Sequence, residues 1–237
     1  MKYLSIILIL AITSIWAAAA PYKKPTTAQA VKVSLGSNLT GADLERIHIG
    51  NQAGVLKIMS PDKRNTLFLK GVDGRHWAPV TTEHRDSILQ ALELRDLDTT
   101  ASALMQNYTK ISRVPAVALL GILAAGGNTT VALEPEIHNK VILFLHARLQ
   151  ASEDATTRRQ AVLALAIQPQ TRRDSVAAMI NFLRRDHNAW NTFGAVQFFE
   201  YHKAEIRAMT DFVNIQKELA NTDSPHQMQI LRDLNKT

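Results

Sequence analysis

An Ala-rich apolar octet recurs along the second half of the chain, and no other feature limits the fold as tightly. Pro115-Ala116-Val117-Ala118-Leu119-Leu120-Gly121-Ile122 is echoed 45 residues on by Gln160-Ala161-Val162-Leu163-Ala164-Leu165-Ala166-Ile167. A fainter echo starts a further 34 residues on, at Ala195-Val196. A second set repeats as Ala178-Met179-Ile180-Asn181-Phe182-Leu183 and Ala208-Met209-Thr210-Asp211-Phe212-Val213, 30 residues apart. The longer first period follows if Gly126 to Glu134 is an enlarged loop. Two helices in every period of about 30 to 47 residues is the pattern of stacked helical hairpins, an α-solenoid. Each hairpin has an apolar face it cannot bury alone, and alanine at the inner positions lets neighbours approach. A non-repetitive helical bundle is the alternative architecture.

Helical patterning runs from Thr82 to the end, so residues 81–237 read as one helical repeat domain. Thr82 is an N-cap before Glu83, with Ile88, Leu89 and Leu92 at helical spacing. Further helices are expected near 98–110, 114–125, 135–150, 154–168, 172–185, 189–203, 204–220 and 224–235. Gly126-Gly127-Asn128 stops one, Glu134-Pro135 starts another, and Asp223-Ser224-Pro225 starts the last. The stretch Thr157-Arg158-Arg159-Gln160-Ala161-Val162-Leu163-Ala164-Leu165 resembles the first helix of a HEAT-type repeat, where a basic residue precedes an Ala/Leu stripe. The resemblance covers about residues 113–213. It departs from the pattern in its variable period, in Pro115, and in an aromatic third copy. It implies a stack of helical hairpins, with Arg–Asp ladders between repeats.

The N-terminal third differs. Ile47/Ile49, Leu56/Ile58 and Leu67/Leu69 alternate, with Gly50-Asn51, Gly54 and Ser60-Pro61-Asp62-Lys63-Arg64-Asn65 between them. Period-two patterning with turn chemistry predicts a short β-meander within residues 44–80; a helix opening over Asp43 to Ile49 is the other option. Residues 20–43, rich in Lys, Pro, Thr and Ala, read as a flexible arm. Residues 1–19 read as a secretory signal peptide: Lys2, an apolar run from Leu4 to Trp16, then Ala17-Ala18-Ala19. As a membrane anchor the run is short against the ~20 residues of a span, so no transmembrane segment is expected after cleavage.

The chain has 237 residues, a formal charge of +6 and no cysteine. Disulfides, thiolate metal sites and cysteine nucleophiles are excluded. Export without cysteine points to a bacterial periplasm or extracellular space. There is no Gly-x-Ser-x-Gly, no His-Glu-x-x-His and no Gly-rich phosphate loop. Ser60-Pro61-Asp62-Lys63 matches Ser-x-x-Lys, but with proline in a turn and no partner motif. Glu134/His138 and His202/Glu205 are spaced for shared ligation, yet neither finds a third ligand in the pattern, so no metal or cofactor is expected. Asp73, Arg75, His76 and His84 would be the first suspects for an enzymatic site at the β/helical junction.

The candidate contacts are arginines and aromatics. Arg158-Arg159, Arg172-Arg173 and Arg184-Arg185 mark one helix start and both ends of its partner. Arg173 and Arg184 lie about three helical turns apart and share a face. This is either a basic ridge for an anionic partner or local pairing with Glu153, Asp154, Asp174 and Asp186. Trp190, Phe193, Phe198, Phe199 and Tyr201 cannot all face one way. Their helix is either covered all round or presents Trp190 and Phe193 to a partner. The chain is expected to bind a protein or peptide without catalysis, through the surface of its stacked helices. An anionic envelope component, glycan or lipid, is the alternative partner; nucleic acid is not expected.

Overall fold

The run Ala116–Ala124 contains no polar side chain, so as a helix it must be covered on every side. All nine of its residues are buried. The computed structural model describes residues 44, 47–49, 56–59, 66–69, 89, 94, 96–126, 132–150 and 152–236, all within one compact unit spanning residues 32–237. Among these residues the fold is mainly α.

Three short strands come first: β1 (Ile47–Ile49), β2 (Leu56–Met59) and β3 (Thr66–Leu69). They pair antiparallel in the order β1-β2-β3, with Ile47 opposite Ile58 and Leu56 opposite Leu69. The helices with described bounds are α1 (Leu97–Gln106), α2 (Arg113–Ala124), α3 (Pro135–Arg148), α4 (Ala155–Ala166) and α5 (Arg173–Arg185). They continue as α6 (Ala189–Tyr201), α7 (Lys203–Ala208), α8 (Phe212–Ala220) and α9 (Gln227–Asn235). Asp96 and Asp154 cap α1 and α4 alike, each carboxylate accepting from the main-chain N–H and the hydroxyl of the threonine three residues on. Pro135 occupies the first turn of α3, where its missing N–H costs nothing.

The helices form two rows. In the first, α2 packs on α4, α4 on α6, and α6 on α9. In the second, α1 packs on α3, α3 on α5, and α5 on α8. Strand β1 lies against α2 and α4, so the first row is the middle layer. Its crossings are close because the sequence keeps them small. A Cβ on Gly121 would lie 2.5 Å from Ala164 Cβ, and one on Gly194 would lie 2.8 Å from Val162 Cγ1. Buried Gln168 ties the first crossing, its Nε2 donating to the carbonyls of Gly121 (3.0 Å) and Ala164 (2.6 Å).

Two expected helices are interrupted. The helix predicted over 98–110 stops at Gln106, where Asn107 Nδ2 donates to the Ala103 carbonyl in competition with the main chain, and a 3-10 turn follows at Tyr108–Lys110. The helix predicted over 204–220 is two helices, broken at extended Met209. There Asp211 gives its carboxylate to Arg173 instead of capping α8. The echo between 178–183 and 208–213 therefore pairs the middle of α5 with a break and is not structurally equivalent. The octets beginning near Ala116, Ala161 and Ala195 do fall on α2, α4 and α6 of the first row.

Candidate binding surface

With the first row committed to the core, the second row supplies the outer helix faces, and α5 carries three of the predicted arginines, with a fourth, Arg172, at its N-cap. Adjacent residues on a helix point about 100° apart, and each arginine pair splits between neighbours accordingly. Arg172 turns toward α3, donating to Asn139 Oδ1 at 2.9 Å, and also meets Asp174 at 3.4 Å. Arg173 turns toward α8, meeting Asp211 at 2.5 Å and Glu218 at 2.6 Å. At the other end Arg184 reaches Asn181 and, at 3.4 Å, the Glu218 carbonyl, while Arg185 reaches back to Gln150 Oε1 at 2.8 Å. Arg173 and Arg184 thus share the face toward α8. Arg172 and Arg185 share the face toward α3.

Carboxylates are distributed unevenly among them. Asp211 and Glu218 hold Arg173, and Asp174 holds Arg172. Among the described residues, Arg184 and Arg185 have no carboxylate within ion-pair distance. Both sit at the C-terminus of α5, where positive charge complements the helix dipole. Arg158, in α4, donates to buried Asp186 at 3.0 Å and to the Glu153 carbonyl. Arg159 is half-buried, and burial lowers its pKa. Basic and acidic side chains nearly balance over residues 96–236, so most of the formal excess of +6 lies earlier in the chain.

Trp190 lies in the first turn of α6, its side chain outside the described set. Phe193 is 41% exposed and meets the His226 ring edge-on at 6.0 Å. Phe198 and Phe199 are buried and packed edge to face at 5.3 Å. So α6 is covered over most of its surface, with Phe193 at the rim.

A groove of about 460 Å³ runs along α5. Asp174, Ala177, Ala178, Asn181, Phe182 and Arg185 form its α5 side, a single helical stripe, and the last turn of α3, with Leu149 and Gln150, forms the other. His146 bridges the walls, its Nε2 lying 3.0 Å from Ser175 Oγ. That is the separation of a nucleophile and its base. Two facts argue against such a role. Ser175 is buried, and Asp174 directs Oδ1 to the Ser175 main-chain N–H, not to the imidazole. Burial lowers the His146 pKa, Asp174 opposes this and Arg172 reinforces it.

Two polar clusters take forms that the sequence reading did not show. In the first, buried Glu153 accepts from Tyr108 Oη (3.0 Å) and Arg148 (2.8 Å), with Arg113 at 3.5 Å. The Arg148 guanidinium lies 4.6 Å from the Tyr108 ring centre and 4.5 Å from that of Phe144. Burial pushes the Tyr108 hydroxyl up to about 12. In the second, buried His202 brings Nδ1 to 3.2 Å from Glu205 Oε2, which also accepts from the Thr171 N–H at 2.7 Å. The His202/Glu205 spacing noted in the sequence is thus a real pair, and it holds two helices and a loop together. Among the described residues no group of three His, Asp or Glu is placed to hold a metal ion, and no helix is long and apolar enough to cross a membrane. Ser60, Lys63, Asp73, Arg75, His76 and His84 lie outside the described residues.

No protein-family model matches the chain, and neither a curated protein nor a solved structure matches it. The class of molecule therefore rests on the two helical rows and the surface they leave open.

Proposed function

We propose that this chain is an exported, non-catalytic scaffold of HEAT-like stacked hairpins, which binds a protein or peptide partner on the outer face of its second row. The observation that carries the reading is the row order, α2–α4–α6–α9 beside α1–α3–α5–α8. Such an order buries the first row on both sides and the inner side of the second, and frees successive outer helix faces of the second row. The placement of the three octets on the first row supports the repeat. The apolar run and alanines of residues 1–19, and the absence of cysteine, support export to a bacterial periplasm or extracellular space.

The test is a photo-crosslinking residue placed in the living cell at Asn181, which lines the α5 groove, or at exposed Arg232 on α9. A discrete protein adduct from position 181 and none from position 232 is expected. No adduct from either position would end the reading. Arg184 and Arg185, without carboxylate partners among the described residues, favour one second reading, an anionic envelope glycan or lipid. Salt-sensitive co-sedimentation with anionic vesicles, without a protein adduct, would select it.

A further inference from the structure

The α5 groove has a chemistry that narrows the partner further. Its length is set by the stripe from Asp174 to Arg185, eleven residues of helix or about 16 Å, which matches about five residues of extended chain. Its middle is small and apolar: Ala177 and Ala178 are half-buried with only a methyl group each, and Phe182 and Leu149 lie buried beneath them. Its ends differ in charge and in commitment. Asp174 is held by the Ser175 N–H and by Arg172. Arg185 is exposed and, among the described residues, donates to the neutral Gln150 amide and meets no carboxylate; the same holds of Arg184 beside it, whose contacts there are Asn181 and the Glu218 carbonyl. A guanidinium that gives up a neutral amide for a carboxylate gains a charge-assisted, two-pronged contact.

We infer that this groove is a binding site for a short extended peptide segment, apolar along its middle and carrying a carboxylate at the Arg185 end. The carboxylate displaces Gln150 from Arg185, with Arg184 adding to the positive field. The apolar side chains lie over Ala177, Ala178 and Phe182, and Asn181 offers its amide to the peptide main chain. The inference rests on the scaffold reading and gives it a partner chemistry.

The test is to pan a phage library of random hexapeptides on the full chain and on two variants. Enriched peptides are expected to place Asp or Glu, or a free C-terminus, beside a small apolar stretch. On the Arg185→Glu chain that acidic bias disappears. On the Asn181→Trp chain, where the indole fills the groove mouth, the enriched peptides bind at least about tenfold more weakly by fluorescence polarisation, the size expected for losing one charge-assisted contact and its surroundings. Both positions are exposed, and matching far-UV circular dichroism and melting curves confirm that each variant folds. No enrichment, enrichment without acidic bias, or binding unchanged by Asn181→Trp overturns the inference. A protein adduct at position 181 that persists alongside any of these results leaves the scaffold standing and removes only this partner chemistry. Loss of the adduct as well removes both.

Discussion

Gly121→Ala adds one methyl group at the tightest point of the first row. The new Cβ would lie 2.5 Å from Ala164 Cβ and 2.8 Å from Ala164 Cα. Carbon atoms rest at about 3.5–4.0 Å, so α2 and α4 must part by roughly 1 Å. Neither obstacle can swing aside, since one is a methyl fixed to the backbone and the other is the backbone itself. Parting the helices also stretches the two bonds by which Gln168 joins them. Overpacking of this kind costs about 1–3 kcal/mol, and replacing helical glycine by alanine returns about 1 kcal/mol. The expected net loss is up to about 2 kcal/mol, read as a lower midpoint in urea unfolding followed by circular dichroism. Gly194→Ala is the internal comparison. Its Cβ meets a side-chain terminus, Val162 Cγ1 at 2.8 Å, with the next atoms at 3.4 and 3.6 Å. That obstacle is a single methyl of a β-branched side chain and no backbone atom is close, so the variant should lose less than Gly121→Ala does. Adding Ala164→Gly to Gly121→Ala removes the methyl-on-methyl clash and leaves the overlap with the Ala164 backbone, so recovery should be partial. A Gly121→Ala chain more stable than the parent would refute the close crossing.

Two further outcomes follow from the polar clusters. Burial holds the folded-state pKa of His202 below its ordinary value of 6.5, with Glu205 opposing the shift and no full reversal. The unfolded chain therefore binds the proton first: above pH 6.5 the group has no effect, and stability falls as pH drops below it. The urea midpoint should decrease from pH 7.5 to 5.5, and the decrease should be smaller in His202→Gln; an identical slope in both chains would remove His202 from the account. Glu153→Leu strands Arg148 between two aromatic rings with its Nε already unpartnered, so a loss of about 3 kcal/mol is expected, against about 1–2 kcal/mol for Tyr108→Phe. Glu136→Ala, which breaks only the exposed pair with Lys140, should leave the midpoint unchanged.

The periodic part of the fold was readable because it depends on local rules. Pro135 and the apolar octets each act within one turn or one helix, and each lands where the pattern puts it. The caps at Asp96 and Asp154 work at the same short range. The alternation at Ile47/Ile49, Leu56/Ile58 and Leu67/Leu69 likewise falls on the strands. The break at Met209 was not readable from helical periodicity, and Asp211 beside it spends its carboxylate on Arg173, 38 residues earlier. Glu153 escaped for the same reason. Tyr108, Arg113 and Arg148 all converge on it from other elements, and nothing in their spacing shows that. The arginine pairs were visible as pairs, but which of them keep a free charge depends on where Asp211, Glu218 and Gln150 come to rest.

The asymmetry between the rows also explains why the open surface lies where it does. Gly121 and Gly194 at the first-row crossings bring α2, α4 and α6 into close approach, and long polar residues, the arginines above all, rim the second row. Helices splayed by larger side chains leave grooves between them, and arginine is long enough to bridge such gaps. The ties from α5 to α3 and α8 combine buried apolar side chains, Val141 and Leu145 on α3, Met179 and Leu183 on α5, Ile215 and Leu219 on α8, with the bridges of Arg172, Arg173, Arg184 and Arg185 at the rim. A bridge to a carboxylate is held by opposite charge and is costly to exchange. A bridge to an amide costs little to exchange for a partner's carboxylate. On that ground the proposed peptide site uses Arg185, tied to Gln150, whereas Arg173, tied to Asp211 and Glu218, serves the fold. Charge reversal at Arg173 should accordingly lower stability, and charge reversal at Arg185 should alter recognition alone.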